Sequence, residues 1–300
     1  MHDHDRNAHT DSGRGAAFAA GIALNTTFVA IEATYGVASH STALVADALH
    51  NASDVLGLAL AWLVSGLARR KPTQTHTYGL RHATILGALG NALLVLVAVG
   101  GVTWEAIGRF SAPEPVPGGT MMIVAAAGVI VNGVSALFFM RASARDANIR
   151  GALLHLLADA AVSLGVVVAG AILWKTGWWW LDPVTTLTIS VVVFWGTWTF
   201  LKQTLHLALA GVPSHIDIAA VRAHLAGLPG VTEVHDLHVW PVGTTQVALT
   251  AHLVVPWPAT PPEFLDSLPA ELRDLFEIDH ATIQLEPTRP QAECPPQAQF

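Results

Sequence analysis

Apolar residues run in six long blocks through the first two-thirds of the chain. Each is about 20 residues or slightly more, the length a helix needs to cross the hydrocarbon core of a bilayer. The blocks lie near residues 16–37, 42–68, 84–107, 121–140, 151–174 and 183–205. Polar positions inside them are few and not scattered at random. The second block opens TALVADALHNASDVLGLALA and carries Asp47, His50 and Asp54. At helical spacing i, i+3 and i+7, those three share one face. The fifth, GALLHLLADAAVSLGVV, carries His155 and Asp159, again an imidazole and a carboxylate one turn apart.

After Gly211-Val212-Pro213 the pattern becomes that of a soluble domain. Residues 216–228 have helical periodicity and stop at Pro229-Gly230. Residues 231–242 read as a strand, Gly243-Thr244 as a turn, and residues 246–255 alternate as a second strand. A helix over 262–276 and a last strand over 281–286 complete an αββαβ order, which predicts a small antiparallel sheet backed by two helices. The expected organisation is a polar tail over 1–15, a transmembrane domain over 16–208, a cytoplasmic domain over 209–288 and a loose tail over 289–300. His2, His4 and His9 alternate with Asp3 and Asp5 in the first tail, which reads equally as a loose metal collector or as a solvated tail.

Charge fixes the expected orientation. Arg69, Arg70, Lys71 and Arg81 follow the second block, and Arg141, Arg145 and Arg150 follow the fourth. The third-to-fourth connection has only Arg109 beside it, and the fifth-to-sixth has Lys175 beside Trp178, Trp179 and Trp180. The positive-inside rule then puts both termini in the cytoplasm and the tryptophans in an interfacial belt on the outer face. A polar N-terminus without a signal-type or transit-type leader favours a bacterial-type plasma (inner) membrane.

Composition agrees. The chain has 300 residues, 52% hydrophobic and only 12% charged, with mean hydropathy +0.47; soluble domains carry about 25% charged residues. A formal charge of −7 and the lack of a broad basic patch give no support for nucleic acid as a partner, and none is expected. A single cysteine, Cys294, excludes a disulfide framework or a cysteine-rich metal site. Fifteen histidines match the 15 Lys plus Arg, a ratio that points to metal or proton chemistry.

An Asp at the bilayer centre costs about 2.5–3.5 kcal/mol, so Asp47, Asp54 and Asp159 together cost roughly 8–10. Hydrogen bonding to Asn51, Asn91 or Asn132 could absorb a single such Asp. Two His-x-x-x-Asp pairs on separate helices favour a metal instead. His50, Asp54, His155 and Asp159 supply two imidazoles and two carboxylates, a set that closes a tetrahedron and suits zinc. The two carboxylates cancel the charge of a divalent ion. Asp47 shares the face but has no counterpart in the fifth block, where Ala152 takes the matching place, so it reads as a supporting or access residue. Protons compete for the same ligand atoms, and a midplane site open to alternate sides would exchange metal for protons. The rival classes are an intramembrane metalloenzyme and a membrane-anchored metal sensor. No His-Glu-x-x-His motif is present, and six spans exceed what an anchor needs.

The segments ALVADALHNASDVLGLALAWL, THTYGLRHATILGALGNALL, NIRGALLHLLADAAVSLGVV, VTEVHDLHVWPVG and TAHLVV resemble the cation diffusion facilitators, in the family order, over roughly residues 25–286. The resemblance implies a polytopic α-helical membrane protein of six transmembrane helices with a C-terminal α+β ferredoxin-like cytoplasmic domain. It further implies a homodimeric, proton-coupled antiporter exporting Zn2+ or a similar ion (Cd2+, Co2+, Ni2+), not an enzyme. The transport ligands carry over onto His50, Asp54, His155 and Asp159, and His50 resembles the zinc-preferring members. A regulatory zinc site using His235, His252 and Glu286 is also implied, with Asp279 where a histidine is often found; His280 could replace it if the register shifts. On a regular strand His235 and His238 point to opposite faces, so His238 is expected to serve packing or a dimer contact beside Trp240. Departures from the family pattern are Thr84, where many members have Glu, and Leu80, where members with a loop metal site have a second His beside the equivalent of His76.

Overall fold

A lipid-facing helix reverses the usual rule: its apolar side chains face outward, and polar ones are tolerated where neighbouring helices supply partners. The long helices of this chain follow that inversion. In the computed structural model, residues 23–68, 70–112, 114–140, 147–256 and 263–288 are described. The His-bearing N-terminal tail and the C-terminal tail lie outside them, as do Arg69, Arg141 and Arg145. Helix α1 runs over residues 23–38, α2 over Thr42–Ala68, α3 over Ala83–Ser111, α4 over Gly118–Met140, α5 over Ala147–Thr176 and α6 over Leu181–Ala208. Among the described residues, α3, α4, α5 and α6 contain stretches long and apolar enough to cross a membrane.

Val97, Trp104 and Trp195 are exposed, while Glu32, Asp47, Ser163, Asp182 and Thr186 are wholly buried. Trp178 and Trp180 stack with ring centroids 5.6 Å apart, and both are half-exposed, as an interfacial belt requires. The helical core gathers Leu44, Val95, Val99, Met121, Val166, Ile189 and Val193. Small residues let α4 and α5 approach closely. A Cβ on Gly118 would stand 2.6 Å from the Trp174 nitrogen, and one on Gly170 would stand 2.8 Å from the Met122 nitrogen.

The chain forms two compact units, residues 23–60 with 91–200, and residues 61–90 with 201–288. The second unit includes α7 (Ile218–Ala226), β1 (Glu233–Gly243), β2 (Gln246–Val254), α8 (Glu263–Phe276) and β3 (His280–Glu286). Asp217 caps α7, accepting from the backbone N–H groups of Ala219 and Ala220, a residue and position that suit the orphan donors of a helix start. The core of this unit is built from Val221, Leu225, Leu249, Ala251, Leu253, Leu268 and Leu272.

The sheet corrects the expectation of an all-antiparallel arrangement. β1 and β2 form an antiparallel hairpin, but β2 and β3 are parallel. The reason is the connection: α8 lies between β2 and β3, and a helical crossover returns the chain in the same direction. Along β3 the odd-numbered residues Ala281, Ile283 and Leu285 pack on the core. The even-numbered residues therefore occupy the other face.

The same unit joins the β1–β2 turn to the start of α3. The Thr244 N–H donates to the Thr84 hydroxyl at 2.9 Å, and His82 Nδ1 lies 3.2 Å from the Val242 carbonyl. A Cβ on Gly243 would come within 3.1 Å of the Arg81 carbonyl. Thr84, noted in the sequence for not being Glu, is thus an acceptor for a backbone amide.

Candidate metal centres

In the helical unit, α2 and α5 bring an imidazole and a carboxylate together. His50 Nε2 lies 3.2 Å from Asp159 Oδ1, and both side chains are largely buried. The edge of a tetrahedron with ligands about 2.05 Å from a zinc ion is about 3.3 Å. The pair therefore already stands at the separation two ligands of one ion would have. Asp54 stands one turn beyond His50 on α2, half-buried. His155 stands one turn before Asp159 on α5, and its side chain lies outside the described residues.

Around this pair lie groups that order the helices. Asp47 Oδ2 accepts from the Ser163 hydroxyl at 3.0 Å, tying α2 to α5 one turn from His50. Asn51 donates to Glu32 Oε2 at 3.2 Å, tying α2 to α1. Asp47 is thus held by a serine on the other ligand-bearing helix, while Asn51 turns to Glu32 instead. Sequence reasoning passed over Ser163, because a serine in an apolar block carries no signal of its own. Nor did it select Glu32 as a site residue, although the burial cost of a carboxyl in the first block is the same signal that marked the aspartates.

In the second unit another cluster lies on the face of the sheet turned away from α7 and α8. His235 Nε2 and His252 Nδ1 each lie 3.0 Å from an oxygen of Glu286, Oε2 and Oε1 respectively. The imidazole rings meet edge to face with centroids 5.2 Å apart. One ligand atom from each of the three residues lies within 4.8 Å of the others. His235 pairs directly with His252 across the hairpin, and Glu286 follows Gln284, the partner of His252, by two residues. All three therefore share a face.

Two expectations for this cluster are corrected. Asp279 does not join it. It precedes β3 and lies opposite Val247, whose N–H donates to its carboxylate at 3.1 Å; Glu286 lies at the far end, opposite Val254. Seven residues of strand put about 23 Å between them. His280, opposite Ala248, is at that same distant end and stacks edge-on against Tyr78.

The second correction concerns the faces of His235 and His238. The register shifts between them, with His235 opposite His252 and His238 opposite Thr250. Three steps on β1 thus match two on β2. One extra residue is a β-bulge, and Asp236 takes the left-handed conformation (φ 51°) that it demands. The bulge returns His238 to the same face as His235. Asp236, which sequence reasoning did not select, then links the two sides: Oδ1 lies 3.0 Å from His238 Nε2 and Oδ2 lies 3.6 Å from His252 Nε2.

Two buried or half-buried carboxylate–imidazole clusters in one chain, one of them between membrane helices, call for comparison with known metal proteins. The cation efflux transmembrane domain model matches residues 18–207, and the cation efflux protein cytoplasmic domain model matches residues 213–288. The chain belongs to the cation efflux family. It is 38% identical over 261 residues to the zinc transporter ZitB of Escherichia coli K12, covering 86% of this chain and 83% of that one. It is 35% identical over 266 residues to the metal cation efflux system protein CzcD of Cupriavidus metallidurans, covering 88% and 84%. Among solved structures it is similar to the metal-bound C-terminal domain of CzcD from the same organism, 40% identical, with 24% of this chain and 99% of that one covered and a TM-score of 0.22. This cation efflux protein is therefore a multi-pass membrane transporter with a cytoplasmic C-terminal domain, which sets aside the metalloenzyme reading.

Proposed function

We propose that this cation efflux protein exports Zn2+ from the cytoplasm in exchange for protons, through a site formed by His50, Asp54, His155 and Asp159. The observation that carries the proposal is the 3.2 Å approach of His50 on α2 to Asp159 on α5. Two helices that are separate in sequence meet through a metal-type ligand pair in the helical unit. The zinc named in ZitB and the metal cations named in CzcD support the choice of cargo. Tetrahedral ligation by imidazole and carboxylate suits zinc and also accepts Cd2+, Co2+ or Ni2+.

Metal ligation needs neutral imidazole and ionised carboxylate, so each ligand that releases the ion becomes free to take a proton. Alternating access around the site then carries metal one way and protons the other. Asp47 and Ser163 hold α2 to α5 beside the ligands rather than binding the ion. The transport domain spans residues 16–208, the regulatory and dimerisation domain residues 209–288, and the protein works as a homodimer. Both termini face the cytoplasm of a bacterial-type inner membrane, with the Arg-rich connections on that side.

His235, His252 and Glu286 form a second, regulatory zinc site in the cytoplasmic domain. Their donor separations of 3.0 Å are close to the tetrahedral edge of about 3.3 Å, and Asp236 is placed to orient His252 through its other ring nitrogen. Asp279 takes no part.

The test of the transport site is zinc uptake into inverted vesicles driven by a pH gradient, comparing the wild type with His50→Ala and Asp159→Asn. Loss of one of four ligands is expected to raise the zinc KM about a hundredfold. Wild-type uptake at wild-type KM in both variants would remove the assignment.

A further inference from the structure

The first four backbone N–H groups of a helix have no partner within it, and buried among other helices they must find one elsewhere. The start of α2 solves this with a carboxylate from a different helix. Asp182, the second residue of α6, is wholly buried. Its Oδ2 accepts from the Thr42 N–H at 2.9 Å and from the Thr42 hydroxyl at 2.7 Å. Its Oδ1 accepts from the Ser41 hydroxyl at 2.5 Å and from the Ala43 N–H at 3.2 Å. The remaining two donors are met nearby: the Leu44 N–H donates to the Ser41 hydroxyl at 3.2 Å, and the Ser41 N–H, at the N-cap, donates to the Gly36 carbonyl at 3.0 Å. All four orphan donors of α2 are thereby paired, two of them to Asp182. The hydroxyl of Thr186, one turn further along α6, lies 2.7 Å from that of Thr42. The Thr186 hydroxyl also donates to the Asp182 backbone carbonyl at 2.8 Å.

Asp182 also sits in the first turn of α6. The positive ends of two helix dipoles, α2 and α6, converge on one carboxylate. This is more than a local cap. A cap supplied by the helix's own flanking residue travels with the helix, whereas this one ties the axial position and rotation of α2 to α6. His50 follows Thr42 by eight residues, about 12 Å down the same helix. A metal site tolerates displacement of roughly 0.5 Å before its geometry degrades. Sliding α2 by one residue, about 1.5 Å, would break every bond to Asp182 and displace His50 from Asp159.

We infer that Asp182 is a positioning residue of the transport site, acting through Ser41, Thr42 and Ala43 to hold α2, and so His50, in register with α5. The inference rests on His50 being a ligand of the transported ion. Its chemistry is specific to a carboxylate: Asp182→Asn keeps one acceptor oxygen but turns an NH2 group toward the donors of Thr42 or of Ser41 and Ala43.

The test uses full-length protein reconstituted in liposomes, with zinc as the probe, and reads KM and maximal rate separately from the thermal midpoint. Asp182→Asn is expected to raise the zinc KM by about tenfold to a hundredfold, the range for residues that orient metal ligands. Combined with Ser41→Ala or Thr42→Val, it is expected to add little, because all three remove the same tether. A wild-type KM with only a lowered thermal midpoint, or losses that add fully, would overturn the inference. Where Asp182→Asn yields no folded protein, Thr42→Val alone carries the test, with an expected several-fold rise in KM; an unchanged KM there overturns it equally. His50→Ala in the same liposomes separates the two readings. Impaired His50→Ala beside normal Asp182→Asn sinks the positioning role alone, whereas normal His50→Ala sinks the transport-site reading and this inference with it.

Discussion

Replacing Glu286 by Gln keeps the size and shape of the side chain and removes its charge, in a cluster where the carboxylate bridges two imidazoles. Each oxygen lies 3.0 Å from one of them, His235 and His252, and Oε1 also accepts from Gln284 Nε2 at 2.9 Å. The side chain is only 7% exposed, so water is poorly placed to substitute for it. Structural zinc sites of four ligands contribute about 10–16 kcal/mol, or about 3 kcal/mol per ligand. At 1.4 kcal/mol per decade, loss of the Glu286 carboxylate is expected to weaken zinc binding at this site by roughly a hundredfold. The measurement is isothermal titration of zinc into detergent-solubilised protein already carrying His50→Ala and Asp159→Asn, which isolates the cytoplasmic site. Asp279→Asn is the decisive companion. The geometry puts Asp279 at the far end of β3, so its affinity for zinc is expected to stay within about twofold of the parent. A loss for Asp279→Asn as large as that for Glu286→Gln would refute the placement of the site.

Other expectations follow from local packing and hydrogen bonding. Gly170→Ala puts a methyl 2.8 Å from the Met122 nitrogen and 3.1 Å from the Gly118 carbonyl, so α4 and α5 must separate. The overpacking is expected to cost about 1–3 kcal/mol, read as a lowered thermal midpoint in detergent; an unchanged midpoint would mean the helices yield freely. Asp217→Ala removes the cap that accepts from Ala219 and Ala220. Chemical denaturation of a fragment over residues 213–288 should show a loss of about 1 kcal/mol, and a loss under 0.3 would contradict the capping role. Thr84→Val deletes the acceptor for the Thr244 N–H. A net hydrogen bond of about 1 kcal/mol predicts roughly fivefold faster hydrogen exchange at Thr244, and equal rates would show that another group already serves that amide.

What was legible in the sequence was whatever depends on spacing along one element. Apolar runs of membrane length marked the helices, because a backbone in lipid must satisfy its own hydrogen bonds. The two His-x-x-x-Asp pairs stood out because buried charge is costly and helical period puts those residues on one face. The αββαβ order was readable from alternation and turn residues. What lay between elements was not. That His50 faces Asp159, and that Ser163 holds Asp47, depend on how α2 meets α5. The parallel pairing of β3 with β2 depends on the path of α8. Strand alternation failed at one residue: the bulge at Asp236 resets the period, returns His238 to the face of His235, and brings an unselected carboxylate to His252. Asp182 shows the division most plainly. Its sequence context, an Asp in the first turn of a helix, reads as an ordinary dipole partner for α6. Only the fold, by laying the start of α2 against the start of α6, made it the cap of a helix 140 residues away in the chain, because hydrogen-bond donors seek the nearest acceptor in space and not along the sequence.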